Sequence, residues 1–213
     1  QNHLDLTAIY NNIGGLYGEL KNYTEAVFYL EKVIKSQEKT LTNPSKLIAS
    51  YNNISNVYSK LGKFHVALNY QKKALELSVD IYPKNHPLLG TTYHNIAEIY
   101  RKIQFYDMAI LAQEKAISIT KENYPAEHIY QKWTQKSLAN IYIDRGHNYI
   151  SSQYFEKGLA DLYIALGLVD NKIDTTFILG SIGLCYLSLN ESLLAINTFQ
   201  KIELFSKGAQ LIY

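Results

Sequence analysis

Six histidines and one cysteine are the side chains of this 213-residue chain best suited to metal binding or nucleophilic chemistry, and their placement argues against both. His3, His86 and His128 recur at one phase, at the entry to a predicted helix, where an imidazole serves to cap or pack a turn. His65, His94 and His147 each lack a partner histidine three or four residues on, the spacing that a helical zinc site needs. Cys185 stands beside Tyr186 with no basic neighbour to lower its pKa, and reads as a small buried apolar residue. No Gly-rich phosphate loop, G-x-S-x-G elbow or carboxylate pair at catalytic spacing is present. No catalytic, cofactor-binding or metal-ligating residue is expected, so the chain reads as non-enzymatic. The polar residues that do repeat are amides: Asn11 and Asn12, Asn52 and Asn53, His94 and Asn95, and one turn on Asn56, Glu98 and Asn140. Asparagine is a mediocre helix former, so a mid-helix column of it calls for a reason. A carboxamide offers two donors and an acceptor, which suits the backbone of an extended peptide. The same groups could instead bond between neighbouring helices.

The elements that must position these residues are written in the stretch from Tyr51 to Leu77. Tyr51, Ile54, Ser55 and Tyr58 share one helical face, Leu61-Gly62 stops that helix, and Phe64, Ala67, Leu68, Ala74 and Leu75 line one side of a second. The unit recurs. Tyr17, Tyr58, Tyr100, Tyr142 and Tyr186 close the five first helices at spacings of 41, 42, 42 and 44. Ile13, Ile54, Ile96, Leu138 and Ile182 precede them by four, and the small residues Ala26, Ala67, Ala109, Ser151 and Ala195 follow by nine. The stop position reads Lys21, Gly62, Gln104, Gly146 and Asn190, and the next helix opens at Tyr23, Phe64, Tyr106, Asn148 and Ser192. Connectors such as 41–45 and 82–87 carry Pro and Asn, as helix-breaking turns should.

This succession of large, apolar, small and aromatic positions, followed by aromatic, alanine and alanine-apolar ones, resembles the tetratricopeptide repeat family. The period near 42, the NNI and HNI first helices and the Asn85-His86-Pro87 linker are most similar to repeats of the kinesin-light-chain type. Gln135 and Leu179 depart from the pattern where Tyr10, Tyr51 and Tyr93 stand, and Gly158 where Ala74 and Ala116 do. The resemblance implies an all-α, right-handed superhelical solenoid of about five antiparallel helix-turn-helix units. It forms a single domain over 1–213, with repeats near 3–43, 44–85, 86–127, 128–171 and 172–207. A bend is expected between Gly146 and Asp170, because Gly158 and Gly167 weaken the second helix of the fourth copy by roughly 1 kcal/mol each relative to Ala.

In this family the first helices line a concave groove. The resemblance therefore puts Asn11, Asn12, Asn52, Asn53, Asn56, His94, Asn95, Glu98 and Asn140 in a peptide-binding groove. The lysine-rich clamp that captures C-terminal carboxylates is not reproduced, since its positions carry Ala8, Asn11, Ala49, Asn52, Thr91 and His94. In the last two copies the groove phases turn apolar, as Trp133, Ile143, Phe177, Leu184 and Leu187. Bare apolar residues in such number mark a partner surface.

The net charge of +2 with interspersed signs gives no field for nucleic acid or an anionic membrane. Apolar runs are too short to span a bilayer and no signal peptide opens the chain. A single cysteine fits a reducing, cytoplasmic setting. The chain starts at a linker phase and ends in Leu211, Ile212 and Tyr213 without a polar cap, so more protein is expected beyond both ends. The expected function is a scaffold or adaptor for a peptide or protein partner. The second reading is a regulatory array joined to an effector such as a kinase, a transcription regulator or a caspase-like protease. Nucleic-acid and membrane partners are not expected.

Overall fold

The computed structural model describes residues 2–40 and 43–206. Residues 41 and 42, the side chains of His3 and Phe205, and Leu211, Ile212 and Tyr213 with the rest of 207–213 lie outside the described residues. Among those described, the chain forms ten α-helices and no strand. These are α1 (Asn2–Glu19), α2 (Tyr23–Thr40), α3 (Pro44–Lys60), α4 (Phe64–Ile81), α5 (Pro87–Lys102), α6 (Tyr106–Asn123), α7 (Ile129–Ser151), α8 (Phe155–Leu168), α9 (Lys172–Ser188) and α10 (Ser192–Ser206). Each odd helix pairs with the next, and each even helix packs on the following odd one, so every unit is buried only by its neighbours.

The turn inside each unit is the same C-terminal motif. Lys21, Gly62, Gln104, Gln153 and Asn190 take positive φ, between 59° and 72°, and reverse the chain. The following N–H then donates to the carbonyl five residues back, from Asn22 to Tyr17, Lys63 to Tyr58, Phe105 to Tyr100, Tyr154 to Tyr149 and Glu191 to Tyr186, at 2.8–2.9 Å. Helix entries are fixed by side chains. Asn43 Oδ1 accepts from Lys46 N, and Asn171 Oδ1 from Asp174 N. His86 Nδ1 accepts from Leu88 N and His128 Nδ1 from Tyr130 N, and the two rings stack on Tyr82 and Tyr124 at 4.0 and 4.4 Å.

The turn motif corrects the fourth unit. Its closing tyrosine is Tyr149, not Tyr142, so the spacings become 41, 42, 49 and 37. Gly146, Asn148 and Ser151 are not stop, opening and packing residues but lie within the 23-residue α7. The reversal falls at Gln153, α8 opens at Phe155, and Gly158 takes the place of Ala26, Ala67, Ala109 and Ala195. Seven extra residues turn a helix through two nearly whole turns, about 20° short of closure, so Tyr142 and Tyr149 share a face and local periodicity cannot choose between them.

The small residues let the two helices of a unit touch. Ser55 Oγ donates to Ala67 O at 2.8 Å, and a Cβ on Gly14 would sit 3.4 Å from Ala26 O. In the fourth unit two glycines meet: a Cβ on Gly158 would lie 2.9 Å from Gly146 O and 2.5 Å from Ile150 Cγ1. The buried side chains form consecutive clusters along the solenoid, from Leu30 and Ile54 through Ile96 and Ile141 to Leu162 and Ile182.

Candidate functional site

A groove of about 590 Å³ lies between the first two units. Its floor is Ala8 and Ala49, and Asn11, Asn12 and Asn53 project into it from α1 and α3. Ser36, Gln37 and Thr40 from the last turns of α2 close the side, with Ser36 Oγ 3.2 Å from Thr7 Oγ1. Lys46 is the one charged residue among those lining it. The groove is therefore a nearly neutral cleft of amides and hydroxyls beside Ala8 and Ala49, suited to hydrogen bonding. Asn12, Asn53 and Asn56 are exposed, and Asn11, Asn52, Asn95 and Asn140 are half-buried.

His94 departs from that column. It is buried, its Nδ1 lies 3.1 Å from Gln113 Oε1, and Gln113 Nε2 donates to Thr134 O at 2.8 Å, tying α5, α6 and α7 together. Trp133 covers the imidazole with ring centroids 3.8 Å apart. His94 is thus part of a joint between units rather than a groove-lining residue, and burial holds its pKa below the usual value. The equivalent positions one unit earlier are Asn52 and Gln71, where Oδ1 and Oε1 are both buried without a hydrogen-bond partner. Glu98 is likewise engaged, accepting from Arg101 Nη2 at 2.8 Å.

The position of Ala8 and Ala49 in the groove is taken by Thr91 in α5, Trp133 in α7 and Phe177 in α9. Aromatic rings thus stand at that phase in the later units, Trp133 against His94 and Phe177 edge-on to His147. Trp133, Phe177, Leu184 and Leu187 are exposed, but Ile143 is not. It is packed with Leu162, Ile178 and Ile182 in the core, because the two added turns of α7 slide it under α8 and α9.

Sequence reasoning missed the ion bridges between units. Arg101 and Arg145 are the chain's two arginines. Arg101 reaches from α5 to Asp144 on α7, and Arg145 reaches from α7 to Asp107 on α6 and to Asp161 on α8. Asp161 is buried and accepts from both Nε and Nη2 of Arg145 at 2.8 Å. The scarcity of arginine beside 19 lysines was the available signal, since the planar fork of guanidinium suits a paired, half-buried site. The tyrosines are also engaged: Tyr51 and Tyr58 donate to Glu38 and Glu31, and burial followed by these carboxylates raises both phenol pKa values.

Among the described residues, no helix is long and apolar enough to cross a membrane. In comparisons with known proteins, no curated relative matches the chain. Among solved structures, a putative kinesin light chain with nearly identical TPR-like repeats from Podosopora anserina is 16% identical, with a TM-score of 0.66 over 95% of this chain and 97% of that one. BtubC (BKLC) from P. vanneervenii is 14% identical, with a TM-score of 0.62 over 99% and 85%. MamA from Desulfovibrio magneticus RS-1 is 16% identical, with a TM-score of 0.61 over 97% and 98%. At these identities the structures show a common fold, and the family model described as Tetratricopeptide repeat matches residues 5–78 and 46–122, more than half of the 213. The chain belongs to the tetratricopeptide repeat family.

Proposed function

We propose that this chain is a non-catalytic interaction scaffold that binds an extended peptide segment of a partner protein in the groove between α1 and α3. The supporting observation is the amide-lined cleft of about 590 Å³ over Ala8 and Ala49. An extended strand has backbone donors and acceptors pointing sideways at regular intervals, and side-by-side first helices offer Asn11, Asn12 and Asn53 to meet them. Asn56, Asn95 and Asn140 continue the column toward the later units. With Lys46 as the one charged lining residue, the fitting segment is neutral or weakly acidic rather than a multiply charged tail. The lone, buried Cys185 suits a reducing cytoplasmic setting.

Panning a displayed library of unstructured peptides on the chain, followed by calorimetry, tests the reading. The double substitution Asn12→Ala and Asn53→Ala should weaken the selected peptides by about tenfold or more, about 1 kcal/mol per lost hydrogen bond, with the melting temperature nearly unchanged. Undiminished binding accompanied by lost stability would show that the amides serve only the helices.

A further inference from the structure

Two successive joints of the solenoid carry the same tyrosine and lysine and differ in a carboxylate. Where α2, α3 and α4 meet, the Tyr51 hydroxyl donates to Glu38 Oε1 at 2.7 Å. Lys73 Nζ lies 3.6 Å from the same oxygen and 5.5 Å from the centroid of the Tyr51 ring. One unit on, Tyr93 and Lys115 stand 42 residues after Tyr51 and Lys73, and Lys115 Nζ again lies over the phenol ring, 5.2 Å from its centroid. The acceptor is gone. Counted from the packing alanines Ala26 and Ala67, the twelfth residue on is Glu38 in α2 and Val79 in α4. Val79 is 56% exposed, and with Tyr93 and Lys115 it lines a cavity of about 360 Å³ between α4 and α6. Among the described residues, the Tyr93 hydroxyl has no acceptor and Lys115 no carboxylate.

We infer that this cavity binds an alkyl carboxylate, seated between the Tyr93 hydroxyl and the Lys115 ammonium as Glu38 is seated one joint earlier. A phenol and an ammonium that converge on one oxygen make charge-assisted contacts, which a neutral amide would forfeit. Lys84 in the lining adds a second positive charge. Leu89 and Ile119, both buried, stand with Val79 along the cavity and give the alkyl chain an apolar wall. The one carboxylate in the lining, Glu122, is two turns along α6 from Lys115. Neither it nor the exposed Asp80 beside Val79 pairs with a lysine among the described residues. Two lysines against one glutamate leave the lining net positive. The cavity shares no residue with the groove between α1 and α3, so both can be filled together.

The blocked peptide acetyl-Ala-Glu-Ala amide and free butanoate carry this group from two sources, and titration of each is followed by backbone NMR shifts in α4 to α6. Saturable binding at millimolar concentration is expected, and acetyl-Ala-Gln-Ala amide should not bind. Tighter binding of the peptide assigns the site to a glutamate of a protein segment, and equal or tighter binding of butanoate assigns it to a small acid. Lys115→Met should weaken binding by about tenfold or more and Tyr93→Phe by roughly fivefold, while Lys73→Met leaves it unchanged. Val79→Glu supplies the carboxylate from within the chain. It should abolish binding of both probes and raise the melting temperature by about 2 °C, a gain that Lys115→Met removes. Absence of saturable binding by both probes, binding that survives Val79→Glu, or binding indifferent to Lys115→Met would overturn the site.

Discussion

The exposed face of α3 and that of α9 occupy the same place in their units and share almost nothing chemically. One presents Ser45, Ala49 and Asn56, the other Ile173, Phe177, Leu184 and Leu187. Their buried faces are alike, Ile54 with Ser55 against Ala67 in one and Ile182 with Gly183 beneath Phe199 in the other. Each helix pair is thus held together by one side of its first helix, while the other side differs between units and in α5 forms the joint with α7. A polar cleft and an apolar face can then coexist on one scaffold without conflict.

If that division holds, the largest losses of stability must come from the packed side. Asp161→Ala leaves the guanidinium of Arg145 largely buried without its bidentate partner, and should cost about 3 kcal/mol. That is a fall in melting temperature of roughly 6–12 °C for a chain of this size. Glu127→Gln, which breaks the exposed pair with Lys132, should move it by less than about 2 °C. Next comes Gly158→Ala, whose added methyl collides with Ile150 Cγ1 at 2.5 Å and should cost about 2 kcal/mol, whereas Gly167→Ala meets nothing within 4 Å and should be neutral or stabilising. Chemical denaturation of the pair checks both signs, and equal effects would break the distinction between faces.

Changes on the open side should alter binding and spare stability. Ala49→Trp puts the ring of Trp133 into the first cleft, and should abolish binding of the selected peptides while shifting stability by no more than about 0.5 kcal/mol. The smallest expected effect belongs to His94. Burial lowers its folded pKa below the ordinary 6.5, with Glu98 and the Gln113 hydrogen bond opposing and Arg101 adding to the shift. The unfolded chain therefore binds the proton first. The stability that neutral His94 supports is complete above about pH 6.5 and is lost as pH falls from there toward the lowered value. Melting curves between about pH 7.5 and about pH 5 should show a slope that His94→Asn flattens, and Trp133 emission should report the same loosening. A slope unchanged by the substitution would remove His94 from the joint.

Helix pairing was legible in the sequence because it rests on local signals, the tyrosine four residues before each reversal and the small residue nine after it. The fourth unit was misplaced by two turns because seven residues restore the same face, and only the hydrogen bond from Tyr154 N to Tyr149 O tells the two registers apart. Ile143 followed from that slip. His94 looked like another member of the amide column, and what makes it a core residue is Trp133, 39 residues on, a contact no periodicity encodes. The exposure of Asn12, Asn53 and Asn56 and of Phe177, Leu184 and Leu187 agrees with their helical phase, whereas the exposed Ile173 was not singled out from the sequence.

Arg101 reaches α7 from α5, Arg145 reaches out from α7 to α6 and α8, and this sets where the solenoid comes apart. In a linear array each joint opens with its own free energy, so fluctuations travel inward from whichever end is softest until they meet a costlier boundary. The bridges to Asp144, Asp107 and Asp161 make α5 to α8 that boundary. The second unit, where Asn52 on α3 and Gln71 on α4 hold unsatisfied oxygens, yields before it. Amide exchange should accordingly be fastest in α1 to α4 and slowest in α7, so the end that carries the open cleft is also the end that breathes.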